Sequence, residues 1–332
     1  MTHPAPRLSL PAFRCGVRVF TVDDVLAAAR DRGAFESFQA AWRERRSAVR
    51  QAAAAEQIPS AAELDATIES FRYARDLVSG EECDRWLEAR GLDFEDLVDS
   101  ITRRMQSTLT AEKPDAPVES EDDRDTEAED ERLLIVDVLL ADEFNAWARR
   151  LARSVALAAH SETARFADSS EALRWAELDE RLDAAMAAIT TPARRQSALA
   201  GHRLDLLRVE FEQAEFDSAG AAREAVLCTR EDQASLRATA EANAFPCQVA
   251  TAFLGDLPPT WAEVLTSTRL GEAVLPRDSD GCFVVLAPLG RHEPSLDDPD
   301  VCARLNAALV EQHFRELESR HIRWLINVDL AT

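Results

Sequence analysis

Cys247, His202, Glu210 and Trp261 are the residues of this chain whose types invite a chemical reading. A nucleophilic Cys247 would need a neighbouring cation to lower its pKa, and no His or Lys lies near it in sequence. The competing reading is a small apolar residue that opens a strand. His202 and Glu210 could form an acid/base pair, but a helix-to-strand boundary separates them. His292, His313 and His321 are dispersed over a C-terminal loop and helix, where surface or packing roles are expected. The cysteines at 15, 83, 228, 247, 282 and 302 form no CxxC and have no histidine at metal spacing, so neither a metal nor any cofactor is expected. Dinucleotide, P-loop, nucleophile-elbow and HExxH motifs are all missing. What remains is apolar binding. Leu257, Trp261, Phe283, Phe253 and Cys247 are the candidate apolar contact residues, with Phe211 beside them; ordinary core is the stronger expectation for Phe211 and Phe253.

The elements that must position these residues run from Leu204 to Gly290. LDLLRVEFEQAEF alternates apolar and charged residues at period two, which predicts a half-buried strand. Two short helices follow, over Ala219 to Cys228 and Glu231 to Asn243. Gln248 to Leu254 is an apolar strand, and Pro258 starts a helix to Thr268. Strands over Glu272 to Leu275, leading to Pro276, and Cys282 to Leu286 flank a turn at Asp280–Gly281. The order is β-α-α-β-α-β-β.

Before this segment the chain is mainly helical. Phe13 to Phe20 predicts one short strand, and Thr21 with Asp24 a helix start. A long helix is expected from Ala34 to Gln57, with Phe35, Phe38, Trp42 and Val49 on one stripe. Ser60–Glu63 and Ser79–Glu82 are capping boxes, Gly91 ends the second of those helices, and Asp93–Asp96 opens another. Phe71, Tyr73 and Trp86 join the expected core. Residues 111–131 are densely acidic and read as a solvated linker. Helices follow over Glu143 to His160, Ser170 to Ile189 and beyond Pro192. Ser295 is expected to cap the last long helix, before a strand-like end at Ile322 to Val328.

The chain has 332 residues, enough for about two domains with real cores. Its net charge is −23, and Lys113 is its sole lysine. Such a field argues against nucleic acid and anionic membranes as partners and favours a basic polypeptide. The N-terminus has no apolar signal-like run, which predicts a cytoplasmic protein.

The run LPPTWAEVLTSTRLGEAVLPRDSDGCFVVLAPLG, Leu257 to Gly290, resembles the closing half of a parvulin-type proline isomerase domain. The whole layout resembles the SurA and PpiC type of bacterial foldase. ELDATIESFRYARDLVSGEECDRWLEARGLDFEDLV, HRLDLLRVEFE, EPSLDDPDV and HIRWL are similar to a cytosolic PpiC-related branch of peptide-maturation proteins. The resemblance implies an α+β protein: a helical SurA-like chaperone domain made from the N-terminal helices and the C-terminal helix, and a parvulin-like domain. The implied division is 1–110 helical, 111–131 acidic linker, 132–203 helical, 204–291 degenerate parvulin-like, and 292–332 a C-terminal helix and short strand packing on the helical domain.

In the same resemblance Trp261 matches the aromatic wall of the proline pocket, Leu257 its apolar partner, and Cys247 lies near the pocket cysteine, so it implies Leu257, Trp261, Phe283, Phe253 and Cys247 as peptide-binding residues. The family's two strand histidines have no counterpart. None lies between Leu204 and Phe216, and the last-strand position is Phe283. The implied function is a peptide-binding accessory protein for maturation of a ribosomally made peptide, without efficient isomerase catalysis and with no catalytic residue named. Its partners would be an unfolded or precursor peptide and peptide-modifying enzymes. Two alternatives stay open: an isomerase working through an altered pocket with Cys247 or Ser279, and a non-catalytic scaffold of a modifying complex.

Overall fold

The computed structural model describes residues 7–55, 58–109, 123–161, 174–231, 234–275 and 283–326. It is an α+β protein with, among the described residues, two three-stranded antiparallel sheets, divided into one compact unit of residues 1–185 with 313–332 and a second of residues 186–312. Pro276, Ser279, Asp280, Gly281 and Cys282 lie outside the described residues, as do 110–122 of the acidic run and 170–173.

In the first unit, β1 (Pro11–Cys15) and β2 (Arg18–Thr21) form a hairpin where one strand was expected. Gly16 turns the chain at φ +58°, a conformation that costs glycine nothing, and the Gly-Val pair lacks the Asn-Gly or Asp-Gly signature of such turns. β6 (Ile322–Trp324) completes the sheet in the order β2-β1-β6. Phe13 stacks on Phe20 at 4.7 Å and meets Trp324 at 5.4 Å, which binds the hairpin to the C-terminal strand.

Helices α1 (Val22–Asp31), α2 (Ala34–Ala54), α3 (Ala61–Tyr73), α4 (Gly80–Glu88) and α5 (Phe94–Leu109) follow. Three of them begin with reciprocal capping boxes, Thr21 with Asp24, Ser60 with Glu63, and Ser79 with Glu82, each satisfying two otherwise orphaned backbone donors. Gly91 leaves α4 at φ +65°.

α6 (Asp123–Leu139) starts inside the stretch that reads as solvated linker. Asp130 there receives hydrogen bonds from Arg46 (2.9 Å) and Arg50 (2.7 Å) of α2, so part of the acidic run serves helix packing. α7 (Asp142–Ser161) presents Phe144, Trp147, Leu151 and Val155 inward, and Trp147 receives Phe35 and Phe38. Phe71 and Trp86 are buried, as expected of core, whereas Tyr73 is 60% exposed.

α8 (Trp175–Ile189) leads toward the second unit, where α9 (Pro192–Gly201) precedes β3 (Arg208–Phe216), α10 (Ala219–Glu231), α11 (Leu236–Ala242), β4 (Cys247–Phe253), α12 (Pro259–Ser267) and β5 (Phe283–His292). The sheet order is β4-β3-β5. Instead of a full strand at Glu272 to Leu275, Val274 makes a single bridge to Leu286. β5 continues well past Leu286 because its second half still pairs with β3, after a shift in register between Glu210 and Phe211 that leaves Leu289 as the extra residue.

α13 (Pro299–His321) begins later than Ser295 suggested. Ser295 instead accepts a hydrogen bond from the Asp297 N–H in a preceding turn, and Asp298 accepts one from the Asp300 N–H at the helix start. Pro299, lacking an N–H, suits the first helical position.

Candidate peptide-binding face

The register of the second sheet decides which side chains share a face. Val209↔Ala252 and Phe211↔Ala250 set these four residues on one side, while Glu212↔Val249 and Ala214↔Cys247 lie on the other. The first side is covered by α12. Leu207, Val209, Phe211, Leu254, Leu265, Val284 and Leu286 form its buried cluster, with Leu257, Trp261, Ala250 and Ala252 half-buried around it.

α12 is held in place at both ends. Pro258 and Pro259 open it where a missing N–H costs nothing. At its far end Arg291 of β5 donates to the Leu265 carbonyl through Nε (2.9 Å) and Nη2 (2.7 Å), and also to the Thr268 carbonyl. The cation thereby satisfies carbonyls that the helix leaves without partners and sits at the negative end of its dipole. Gly271, at φ +79°, donates to the Pro288 carbonyl at 2.7 Å and docks the following turn on β5.

So positioned, Trp261 meets Phe211 edge to face, and Leu257, the extended residue just before the Pro258 N-cap of α12, packs against the same buried cluster. Phe211 is core, 2% exposed, whereas Trp261 keeps part of its ring open. Half-buried Ala250 and Ala252 make a low shelf beside them, and half-buried Gln213 faces exposed Gln248 across the same side. Apolar contact and amide hydrogen bonds are what this face offers.

The other candidates go elsewhere. Phe283 pairs with Phe216, and together with Cys247 it packs in the cluster under α10 and α11, on the opposite side of the sheet from Trp261. Phe253 is 7% exposed and packs with Leu206, Val301 and Leu305, covered by the guanidinium groups of Arg208 (4.6 Å) and Arg304 (4.2 Å). Leu257 and Trp261 are therefore the two candidates brought together, and Phe283, Phe253 and Cys247 lie apart from them.

Burial pushes the Cys247 thiol pKa up, and the nearby carboxylate of Glu212 pushes it further. Glu212 is itself nearly buried and accepts the Arg237 N–H at 3.2 Å, tying α11 to the sheet. A thiol in that field stays protonated at neutral pH and is a poor nucleophile. His202 ends α9 as its C-cap, while Glu210 lies on β3 toward Gly290 and His292. His292 occupies the end of β5 distant from Phe283.

Sequence reading missed the Arg291 clamp. Nothing local in the sequence marks it, because the expected strand stops at Leu286 and Arg291 reaches α12 only when β5 extends to His292 beside β3. Among the described residues no group of three or more His, Cys, Asp or Glu could hold a metal ion, and no helix is long and apolar enough to cross a membrane. No protein-family model matches the chain, and no curated protein matches it.

Proposed function

We propose that this chain is a foldase-like accessory protein of the cytoplasm that holds an unfolded or precursor peptide, in the maturation of a ribosomally made peptide, without efficient proline isomerase chemistry. The observation that carries the reading is the packing of Leu257 and Trp261 against the cluster that holds Phe211, beside the half-open Ala250 and Ala252, on a face furnished with apolar groups and amides. The element order β3-α10-α11-β4-α12-β5, with Val274 bridged to β5, is compatible with the parvulin-like order that the resemblance implies.

Holding and catalysis make different demands. Amide rotation faces a barrier of about 20 kcal/mol, and lowering it requires polar groups that stabilise the twisted amide. β3 carries no histidine, and Phe283 and the protonated Cys247 lie on the other face of the sheet from Trp261. An apolar shelf can desolvate a peptide and retain it, and the net charge of −23 draws in basic segments. Peptide-modifying enzymes are the natural recipients of a client held in this way.

The test is fluorescence anisotropy with labelled basic, proline-containing peptides, run beside a proline-peptide isomerisation assay. Binding without acceleration, weakened by Trp261→Ala, is the expected result. Acceleration that disappears in Trp261→Ala would replace this reading with a working isomerase. Absence of binding would leave a scaffold role.

A further inference from the structure

Among the described residues, strand β4 has one hydrogen-bonded neighbour, β3, and forms an edge of its sheet. At the opposite edge, β5 is covered: Val274 exchanges backbone hydrogen bonds with Leu286 at 2.8 and 2.9 Å, and Gly271 donates to Pro288. Two bonds reveal which β4 groups point outward. Leu254 N–H donates to the Leu207 carbonyl, and Glu215 N–H to the Pro246 carbonyl. Both lie in the register of the unbroken β3–β4 ladder, so the hydrogen-bonded rungs between them fall at Gln248, Ala250 and Ala252. The alternate residues, Val249 and Thr251, therefore turn their N–H and C=O groups away from β3.

Edges of this kind are usually blunted by charge, proline or a bulge. Cys247–Phe253 reads CQVATAF, without a charged residue or proline, and its pairing with β3 has no register shift. Gln248, Val249 and Thr251 are exposed, Val249 at 41%. The seven residues of β4 therefore place no charge along this ladder edge. Glu210 lies opposite Thr251, Glu212 opposite Val249, and the field of Glu241 reaches Cys247. The cations around the strand are matched by carboxylates: Arg237 near Cys247 pairs with Glu212, and Arg208 and Arg304 over Phe253 pair with Asp300 and Asp256.

We propose that β4 accepts an extended segment of a basic polypeptide as a fourth strand, hydrogen-bonded to the outward groups of Val249 and Thr251. The proposal rests on the peptide-holding reading and specifies how the peptide is held. Side chains of an added strand alternate between the two faces of the sheet. One set falls on the side of Glu210 and Glu241, where lysine or arginine is favoured; the other falls on the side of Ala250 and Ala252, where small apolar residues are favoured. A second copy of this chain is the poorer occupant, since each copy carries −23.

The probe is a fluorescein-labelled peptide of about ten residues, the length of a long strand, alternating lysine with valine or threonine. A matched peptide with glutamate for lysine is the control. The wild-type chain is expected to bind the lysine peptide at least about tenfold more tightly than the glutamate peptide. Thr251→Pro removes one outward donor and leaves the β3 ladder intact, so it should weaken binding about tenfold with an unchanged circular dichroism spectrum. Val249→Lys, which leaves the backbone donors in place, should weaken binding of the lysine peptide through repulsion. Amide exchange at Val249 and Thr251 should slow about tenfold or more in the complex.

Undiminished binding by both variants, with unaltered exchange at β4, overturns the edge site. If Trp261→Ala abolishes binding in that case, the peptide-holding reading survives without the edge. A wild-type chain that binds neither peptide defeats both. A wild-type dimer that Thr251→Pro converts to monomer would assign the edge to a second copy and overturn the proposal.

Discussion

Trp261 of α12 stands edge-on to Phe211 of β3, with ring centroids 6.4 Å apart and ring planes at 84°. One ring is core and the other is half open, so the same contact links the stability of the sheet to the surface that can receive a peptide. The two residues should separate under mutation. Phe211→Ala should destabilise the protein by about 3–5 kcal/mol through lost burial and a residual cavity. Trp261→Ala should cost only about 1–2 kcal/mol because its ring is partly exposed, yet weaken peptide binding about tenfold. Urea denaturation and anisotropy measured on both variants decide this, and equal losses of binding and stability would refute it.

Cys247 should be dispensable. Its thiol is protonated at neutral pH under the desolvation and Glu212 field described above, and it sits on the α10–α11 face. Cys247→Ser should leave both peptide binding and the rate of proline isomerisation unchanged. Labelling by a thiol reagent should also be slow at Cys15, whose pKa is raised to about 11 by burial. Mass spectrometry after brief iodoacetamide treatment reads the extent of reaction at each site.

Arg291 should matter more to α12 than its position on a strand end suggests. Arg291→Gln removes the cation that joins the Leu265 and Thr268 carbonyls to β5. Hydrogen bonds to a charged group contribute about 1.5–3 kcal/mol, so a loss in that range is expected in denaturant unfolding. Faster amide exchange should appear first in α12, with Trp261 binding weakened as a consequence.

His321 gives the first unit a pH dependence. Its ring lies 5.7 Å from that of His160, and its pKa is lowered by burial, by His160 and by Arg320. Around the pair, Arg153 bonds Glu318 at 2.6 Å and Arg320 bonds Glu316, so carboxylates on α13 are already engaged. A depressed histidine is neutral in the folded state while the unfolded chain takes up its proton near the ordinary value. Stability is therefore lost as pH falls from about 6.5 toward the folded pKa. Thermal melts of His321→Gln should decline less over that interval than those of the wild type. An identical decline would remove His321 as the source.

Much of the local structure was legible because its causes are local. Thr21–Asp24, Ser60–Glu63 and Ser79–Glu82 each satisfy backbone donors within one turn, and Gly91 supplies a positive φ at a helix end. The apolar stripe of α2 and the alternation of β3 follow from periodicity that any window of residues displays. Leu257 and Trp261 meet the same cluster for a different reason: Leu257 is extended before the Pro258 N-cap and Trp261 is in the first turn of α12, so the chain's entry into the helix sets both against β3.

Tertiary structure decided the rest. Whether Phe283 and Cys247 join Trp261 or face away depends on strand register, and a slip of one residue reverses every side chain on a strand. The register depends on pairings such as Phe216 with Phe283 and Ala214 with Cys247, between residues distant in sequence. The same parity turns the backbone of Val249 and Thr251 outward and leaves β4 as an open edge. Arg291 reaches α12 only because β5 runs beyond Leu286 alongside β3. Sequence by itself determined the capped helices, the alternation of β3 and that the chain is strongly acidic, while the β1–β2 hairpin, the start of α6 and the single bridge at Val274 departed from it. The fold determined which faces those segments share, because register and long-range pairing have no signature within a single segment.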